Sequence, residues 1–205
     1  GRNIAYLHYL FENQGLEKGD KVAVLGKNSI NWGLIYLATV TYGAVIVPIL
    51  PDFQPKDVHY IVNHSEARLL FVENSIYDSL DDSVMENVEA MISLVDLSIL
   101  STTRENLYGE IRYARGKFWS DINPTISAET YQLENVANHE LASIVYTSGT
   151  TGFSKGVMLS HNSLAVNVVY ARDNISVRSG DCMVSFLPLA HCYGLAFDFL
   201  FPFAQ

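Results

Sequence analysis

Apolar residues along this chain fall into two patterns. Four short runs are almost unbroken: KVAVLG from Lys21, AVIVPI from Ala44, RLLFVE from Arg68 and LASIVY from Leu141. Each has strand length and is partly β-branched, which predicts strands with both faces covered. Between them lie longer segments that suit helices. Residues 4–14 predict a helix ending near Gly15, a second runs from about Ser29 to Tyr42, and QPKDVHYIVNH predicts a third with Pro55 in its first turn. After the fourth run, a short strand is expected at Val157–Leu159, then a helix capped near Ser160 or Asn162. Strand, helix, strand, helix, strand in that order predicts right-handed crossovers. The expected fold class is α/β, a mostly parallel sheet with helices on both faces.

One stretch imitates a membrane span. From Asn28 to Pro51 there is no charged residue, and the length approaches that of a spanning helix. Gly43 and Pro48 divide it, so it reads as a helix followed by a buried strand. Residues 75–135 are more polar. DSLDDSVMENVEAMISLVDL predicts an amphipathic helix in part, together with a strand at MISLVD. Further on, Leu107, Ile111, Ala114 and Phe118 fall on one helical stripe, beside Arg112, Arg115, Lys117, Tyr113 and Trp119. A basic aromatic helix suits a membrane surface, but an ordinary core stripe on a solvated helix fits the same residues and is preferred. No internal repeat or low-complexity run is present.

Composition narrows the function. With 49% apolar residues, the 205-residue chain can bury a sizeable core. A formal net charge of −9 argues against nucleic acid as a partner and means that a bound polyphosphate must be gripped locally. Two cysteines, Cys182 and Cys192, make no disulfide framework. No signal peptide is visible, and a cytoplasmic location is expected.

The stretch with the densest chemistry is YTSGTTGFSKG, Tyr146 to Gly156. It leaves the end of a predicted strand, where open α/β sheets place ligands. Thr147, Ser148, Thr150 and Thr151 carry hydroxyl donors. Gly149, Gly152 and Gly156 permit positive φ and close backbone approach, and successive N–H groups in such turns form an anion nest. Lys155 adds a full positive charge. Hydrogen bonds to charged groups contribute about 1.5–3 kcal/mol each, so a few suffice to hold a phosphate chain. The donors outnumber what a carboxylate could use. The loop is not a Walker A motif: Ser154 stands at the second glycine, and Gly156 where Ser or Thr would meet Mg2+. Elsewhere, His59 and His64 read as structural, and His161 as a local polar contact. Leu25–Ser29 reads as a plain turn. His191 follows PLA and precedes Cys192, and a buried, hydrogen-bonded histidine is one reading of it; no zinc-ligand spacing accompanies the pair.

YTSGTTGFSKGVMLSH resembles the phosphate-loop signature of the adenylate-forming, AMP-binding superfamily, which includes acyl-CoA synthetases, luciferases and peptide-synthetase adenylation domains. Ser154 departs from it, since the family usually has proline before the lysine. FLPLAHCYGL, Phe186 to Leu195, resembles the family's next motif, with His191 at its histidine. Gly19 to Glu73 resembles the family's amino-terminal region almost throughout. The wording is most similar to bacterial, Bacteroides-type long-chain fatty-acid–CoA ligases.

The resemblance implies ATP-dependent activation of a fatty acid to acyl-AMP with release of pyrophosphate, then transfer to coenzyme A, with Mg2+ as the metal. It implies that Thr147, Ser148, Gly149, Thr150, Thr151, Gly152 and Lys155 hold the β- and γ-phosphates. His191 would orient the acyl substrate where the carboxylate meets the α-phosphate. Adenylation of an amino or aromatic acid, and nucleotide binding without turnover, remain the alternatives. By resemblance the chain is the amino-terminal part of a longer enzyme, inactive alone, within a region of two α/β subdomains. Residues 19–174 would form the first, while 1–18 and 175–205 would associate with the second. The apolar end pieces are expected to pack on the first subdomain or on another copy of the chain. Peripheral contact with the inner membrane surface is an accessory expectation.

Overall fold

The computed structural model describes the chain except for residues 106, 128–130, 132, 134, 148–153 and 179. Its centre is a seven-stranded sheet with the order β5-β4-β3-β1-β2-β6-β7. The strands are β1 (Lys21–Leu25), β2 (Val45–Ile49), β3 (Ala67–Val72), β4 (Ala90–Ser93), β5 (Ile99–Thr102), β6 (Leu141–Thr147) and β7 (Lys155–Ser160). β1 pairs in parallel with β2 and β3, β3 with β4, and β2 with β6. The two outer strands, β5 and β7, run antiparallel to their neighbours. The mostly parallel α/β sheet is therefore present, and its antiparallel edges are what the apolar pattern did not reveal.

Both faces of the central strands are buried, which explains the unbroken apolar runs. Val22 and Val24 of β1 face a core built with α1 (Arg2–Asn13), α2 (Ile30–Tyr42) and α5 (Leu107–Lys117). Ala23 and Leu25 face the opposite core, against Val58, Ile61 and Val62 of α3 (Pro55–Ser65). Helices thus cover both sides. Local signals set their ends. Ser29 caps α2 by accepting from Trp32 N at 3.1 Å. Gly43 closes it at φ 87, a left-handed position that glycine takes without a Cβ penalty. Pro55 opens α3 at its first position. The Asn28–Pro51 stretch is α2 plus β2, and among the described residues no helix is long and apolar enough to cross a membrane.

Residues 75–135, which begin within the short α4 (Asn74–Tyr77), diverge most from expectation. The amphipathic helix over 78–97 does not form. The segment holds a short turn at Asp82–Val84 and then β4, so of that expectation the strand at MISLVD is the part that forms. A local turn bond and tertiary bonds to Asn63 outcompete helix here. Asp81 Oδ1 accepts from Ser83 N at 3.0 Å, while Asn63 donates to Val84 O and accepts from Glu86 N. The Leu107, Ile111, Ala114 and Phe118 stripe is buried, with the Phe118 ring 5.4 Å from Tyr6 and 5.8 Å from Tyr9 of α1. That is the core-stripe reading of α5, leaving Arg112, Arg115 and Lys117 exposed.

α6 (His161–Asn174) follows β7, capped by Ser160. Residues 194–203 form a π-helical segment, Gly194–Leu200, running into the short α7 (Phe201–Phe203). Phe199 docks on α2, its ring 6.4 Å from that of Tyr36.

Candidate functional site

The carboxyl ends of the parallel strands share one edge of the sheet, and the sequence places its chemistry there. β6 ends at Thr147 and β7 begins at Lys155; the two residues face each other across the antiparallel ladder. The strand predicted at Val157–Leu159 is longer than expected and includes the lysine itself. Lys155 is exposed, and among the described residues it forms no ion pair. Ser148, Gly149, Thr150, Thr151 and Gly152 lie outside the described residues. The two ends of the loop are nonetheless set by the register of β6 and β7.

Gly156 has a different job from the one expected. It is a strand residue paired with Tyr146, and its φ is not among the positive ones. A Cβ there would sit 2.9 Å from Ile144 Cγ2 and 3.1 Å from Tyr146 Cζ. Glycine is required so that the Tyr146 ring can lie over the backbone. The phenol then reaches α3, where its oxygen and His64 Nδ1 share a 2.7 Å hydrogen bond. Burial, with Tyr60 nearby, pushes the Tyr146 phenol up to about 12, so it keeps its proton at neutral pH. His64 is therefore structural, and its partner is the strand that carries the loop. His59 is structural as well, its Nε2 accepting from Asp81 N at 3.1 Å.

Among the described residues no hydrogen bond to the His161 ring replaces the expected local polar contact. Its backbone N donates to Glu140 O at 3.1 Å, while Nε2 is buried without a partner among the described residues. Burial holds its pKa below the ordinary value, partly opposed by Glu140.

His191 is exposed, so the buried-histidine reading fails. Its N–H donates to Pro188 O at 2.9 Å, and its Nδ1 accepts from Tyr193 N at 3.3 Å. Among the described residues no hydrogen bond links His191 to Thr147 or Lys155. The three belong to one edge through Asn28, in the turn after β1, whose carboxamide holds both Leu187 and Leu189. β1 and β6 are separated by β2, about 10 Å at the usual strand spacing. Sequence reading missed Asn28, since Leu25–Ser29 looked like a plain turn and nothing local marks a partner 159 residues away. Both cysteines are free and exposed, and Cys192 adds to burial in raising the Tyr36 phenol.

A Ser/Thr/Gly-rich loop with a lysine is based at a parallel sheet's carboxyl edge, and Asn28 ties the His191 turn to that edge, which agrees with the wider comparisons. Residues 7–205 match the family model described as AMP-binding enzyme. The chain belongs to the AMP-binding enzyme family. Relatives of this family member include Long chain acyl-CoA synthetase 2 of Arabidopsis thaliana, 26% identical over 197 residues, covering 92% of this chain and 29% of that protein. Another is 4-coumarate--CoA ligase-like 6 of Arabidopsis thaliana, 28% identical over 187 residues, covering 89% of this chain and 31% of that protein. Among solved structures, ATP-bound MatB from Rhodopseudomonas palustris superposes with a TM-score of 0.72 at 25% identity, over 96% of this chain and 36% of that one. The chain thus spans about a third of the length of the relatives it matches. The α/β fold that the resemblance implied is shared with these structures.

Proposed function

We propose that this chain is the amino-terminal part of an ATP-dependent acid–thiol ligase, a long-chain fatty-acid–CoA ligase. The observation that supports this is the loop base, in which exposed Lys155 faces Thr147 across β6 and β7 at the ligand edge of the sheet. In this reading Thr147, Ser148, Gly149, Thr150, Thr151, Gly152 and Lys155 hold the β- and γ-phosphates of ATP. His191 orients the fatty carboxylate as its oxygen attacks the α-phosphorus. The bond to the bridging oxygen breaks and pyrophosphate leaves. The thiol of coenzyme A then displaces AMP from the acyl carbon. The chain's task is positioning and charge stabilisation. Among the described residues no group of three His, Cys, Asp or Glu could hold a metal. Mg2+ would therefore come with the phosphates, which is its usual mode. The adenine and lid groups that the resemblance implies belong to other segments, so residues 1–205 alone are proposed to be inactive.

A second reading has specific support. The 4-coumarate--CoA ligase-like relative matches as closely as the long-chain synthetase, which keeps an aromatic acid in view. ATP–pyrophosphate exchange by the full-length gene product, with fatty, aromatic and amino acids, separates the readings. Exchange that needs a long-chain acid and falls at least tenfold in Lys155→Ala supports the proposal; about 1.4 kcal/mol per factor of ten is within reach of one charged contact. Exchange with another acid moves the substrate. No exchange with any acid leaves a nucleotide-binding module without turnover.

A further inference from the structure

We propose that Asn28 is a positioning residue for His191, fixing the place of its ring at the sheet edge where the phosphate loop begins; this rests on the function proposed above. Asn28 Nδ2 donates to Leu187 O at 2.8 Å, and its Oδ1 accepts from Leu189 N at 2.8 Å. A carbonyl and an N–H two residues apart meet the two halves of one amide, so the contact defines the amide's orientation. Between them stands Pro188, which has no N–H to give. Its carbonyl accepts from His191 N, and the His191 carbonyl accepts from Leu195 N, both at 2.9 Å. Gly194 completes the turn: a Cβ there would lie 2.7 Å from Pro188 O and 3.2 Å from Leu187 Cβ.

Within this knot the His191 ring is oriented. Its Nδ1 accepts from Tyr193 N, so the neutral ring carries its proton on Nε2. The ring therefore presents an N–H donor, away from its own backbone, suited to a carboxylate or phosphate oxygen. Residues leading into the turn, 181–186, have no regular secondary structure. Among the described residues, the two Asn28 bonds are the hydrogen bonds that tie 183–193 to the sheet side of the molecule. Leu189 and Ala190 are buried and anchor the segment by apolar contact. Asn28 itself is exposed, where neutral hydrogen bonds add little net stability. Its bonds set direction instead, which apolar burial does not do.

The test uses the full-length gene product and ATP–pyrophosphate exchange with its best acid. Asn28→Ala should lower kcat about tenfold to a hundredfold, the scale of an ångström-level misplacement, with KM for ATP nearly unchanged. Asn28→Asp, which sets a carboxylate oxygen against the Leu187 carbonyl, should be no better. Ser29→Ala removes the neighbouring helix cap and should lower melting temperature without touching kcat. In a His191→Ala background, Asn28→Ala should have no further effect, because both act through one ring. Wild-type kcat in Asn28→Ala, or losses that multiply in the double variant, overturns the proposal. If the wild type shows no exchange with any acid, the functional reading fails separately. The clamp is then read from side-chain 1H–15N spectra at about pH 8, above the imidazole range. His191 should be the Nε2–H form in wild type and a tautomer mixture in Asn28→Ala; an unchanged His191 signal overturns the clamp.

Discussion

Replacing Gly156 by alanine tests whether close packing, rather than loop freedom, explains that glycine. Two effects oppose each other. Gly156 has no positive φ, so alanine loses less chain entropy on folding and should stabilise by about 0.5–1 kcal/mol. Against this, the new methyl meets Ile144 Cγ2 at 2.9 Å and Tyr146 Cζ at 3.1 Å. Neither can step aside easily. Ile144 is 9% exposed, and Tyr146 is 4% exposed with its oxygen bound to His64. Overpacking of this kind costs about 1–3 kcal/mol. The clash should win, leaving a net loss of up to about 2.5 kcal/mol. Equilibrium urea unfolding measures it, as a lower midpoint with unchanged slope. Adding Ile144→Ala should make Gly156→Ala less costly than it is in wild type, since one of the two obstacles is gone. A Gly156→Ala protein as stable as wild type, or more so, refutes the reasoning.

Two further outcomes are expected. Arg68 links Asp20, Glu89 and the Gly15 carbonyl, with Nε 2.7 Å from Glu89 Oε1, and Arg104 Nη1 reaches Glu89 from the other side at 3.4 Å. The groups are about a quarter exposed, between surface and buried behaviour. Arg68→Ala should cost about 2 kcal/mol by urea unfolding, and Arg68→Lys should recover less than half, because an ammonium cannot serve both carboxylates as a fork does; full recovery by lysine would refute the bridging role. For His161 the folded pKa lies below the ordinary 6.5 because of burial. As pH falls from about 6.5 the unfolded chain takes up the proton first, so stability is complete above that pH and declines below it. His161→Gln should flatten the pH dependence of the melting temperature between about 5 and 7, and an unchanged slope would remove His161 as a cause.

Some of this protein is written locally. KVAVLG, AVIVPI, RLLFVE and LASIVY became strands because an unbroken apolar run of that length can be satisfied only with both faces covered. Ser29, Gly43 and Pro55 bound their helices through contacts within a few residues. The proposed phosphate loop could be picked out for the same reason, since its donors, glycines and lysine lie together in eleven consecutive positions. Other features needed the folded chain. Within 78–97 the strand was legible but the helical part was misread, because Asn63, on α3, takes backbone groups that a helix would have used. The antiparallel direction of β5 and β7 depends on chain reversal, which an apolar pattern does not encode. Gly156 looked like loop freedom until Tyr146 lay over it. The link from Asn28 to the His191 turn crosses 159 residues. Hydrophobic rhythm and capping are short-range and survive in one dimension. Register, close approach and long-range amide contacts exist only once the sheet has brought distant backbone together.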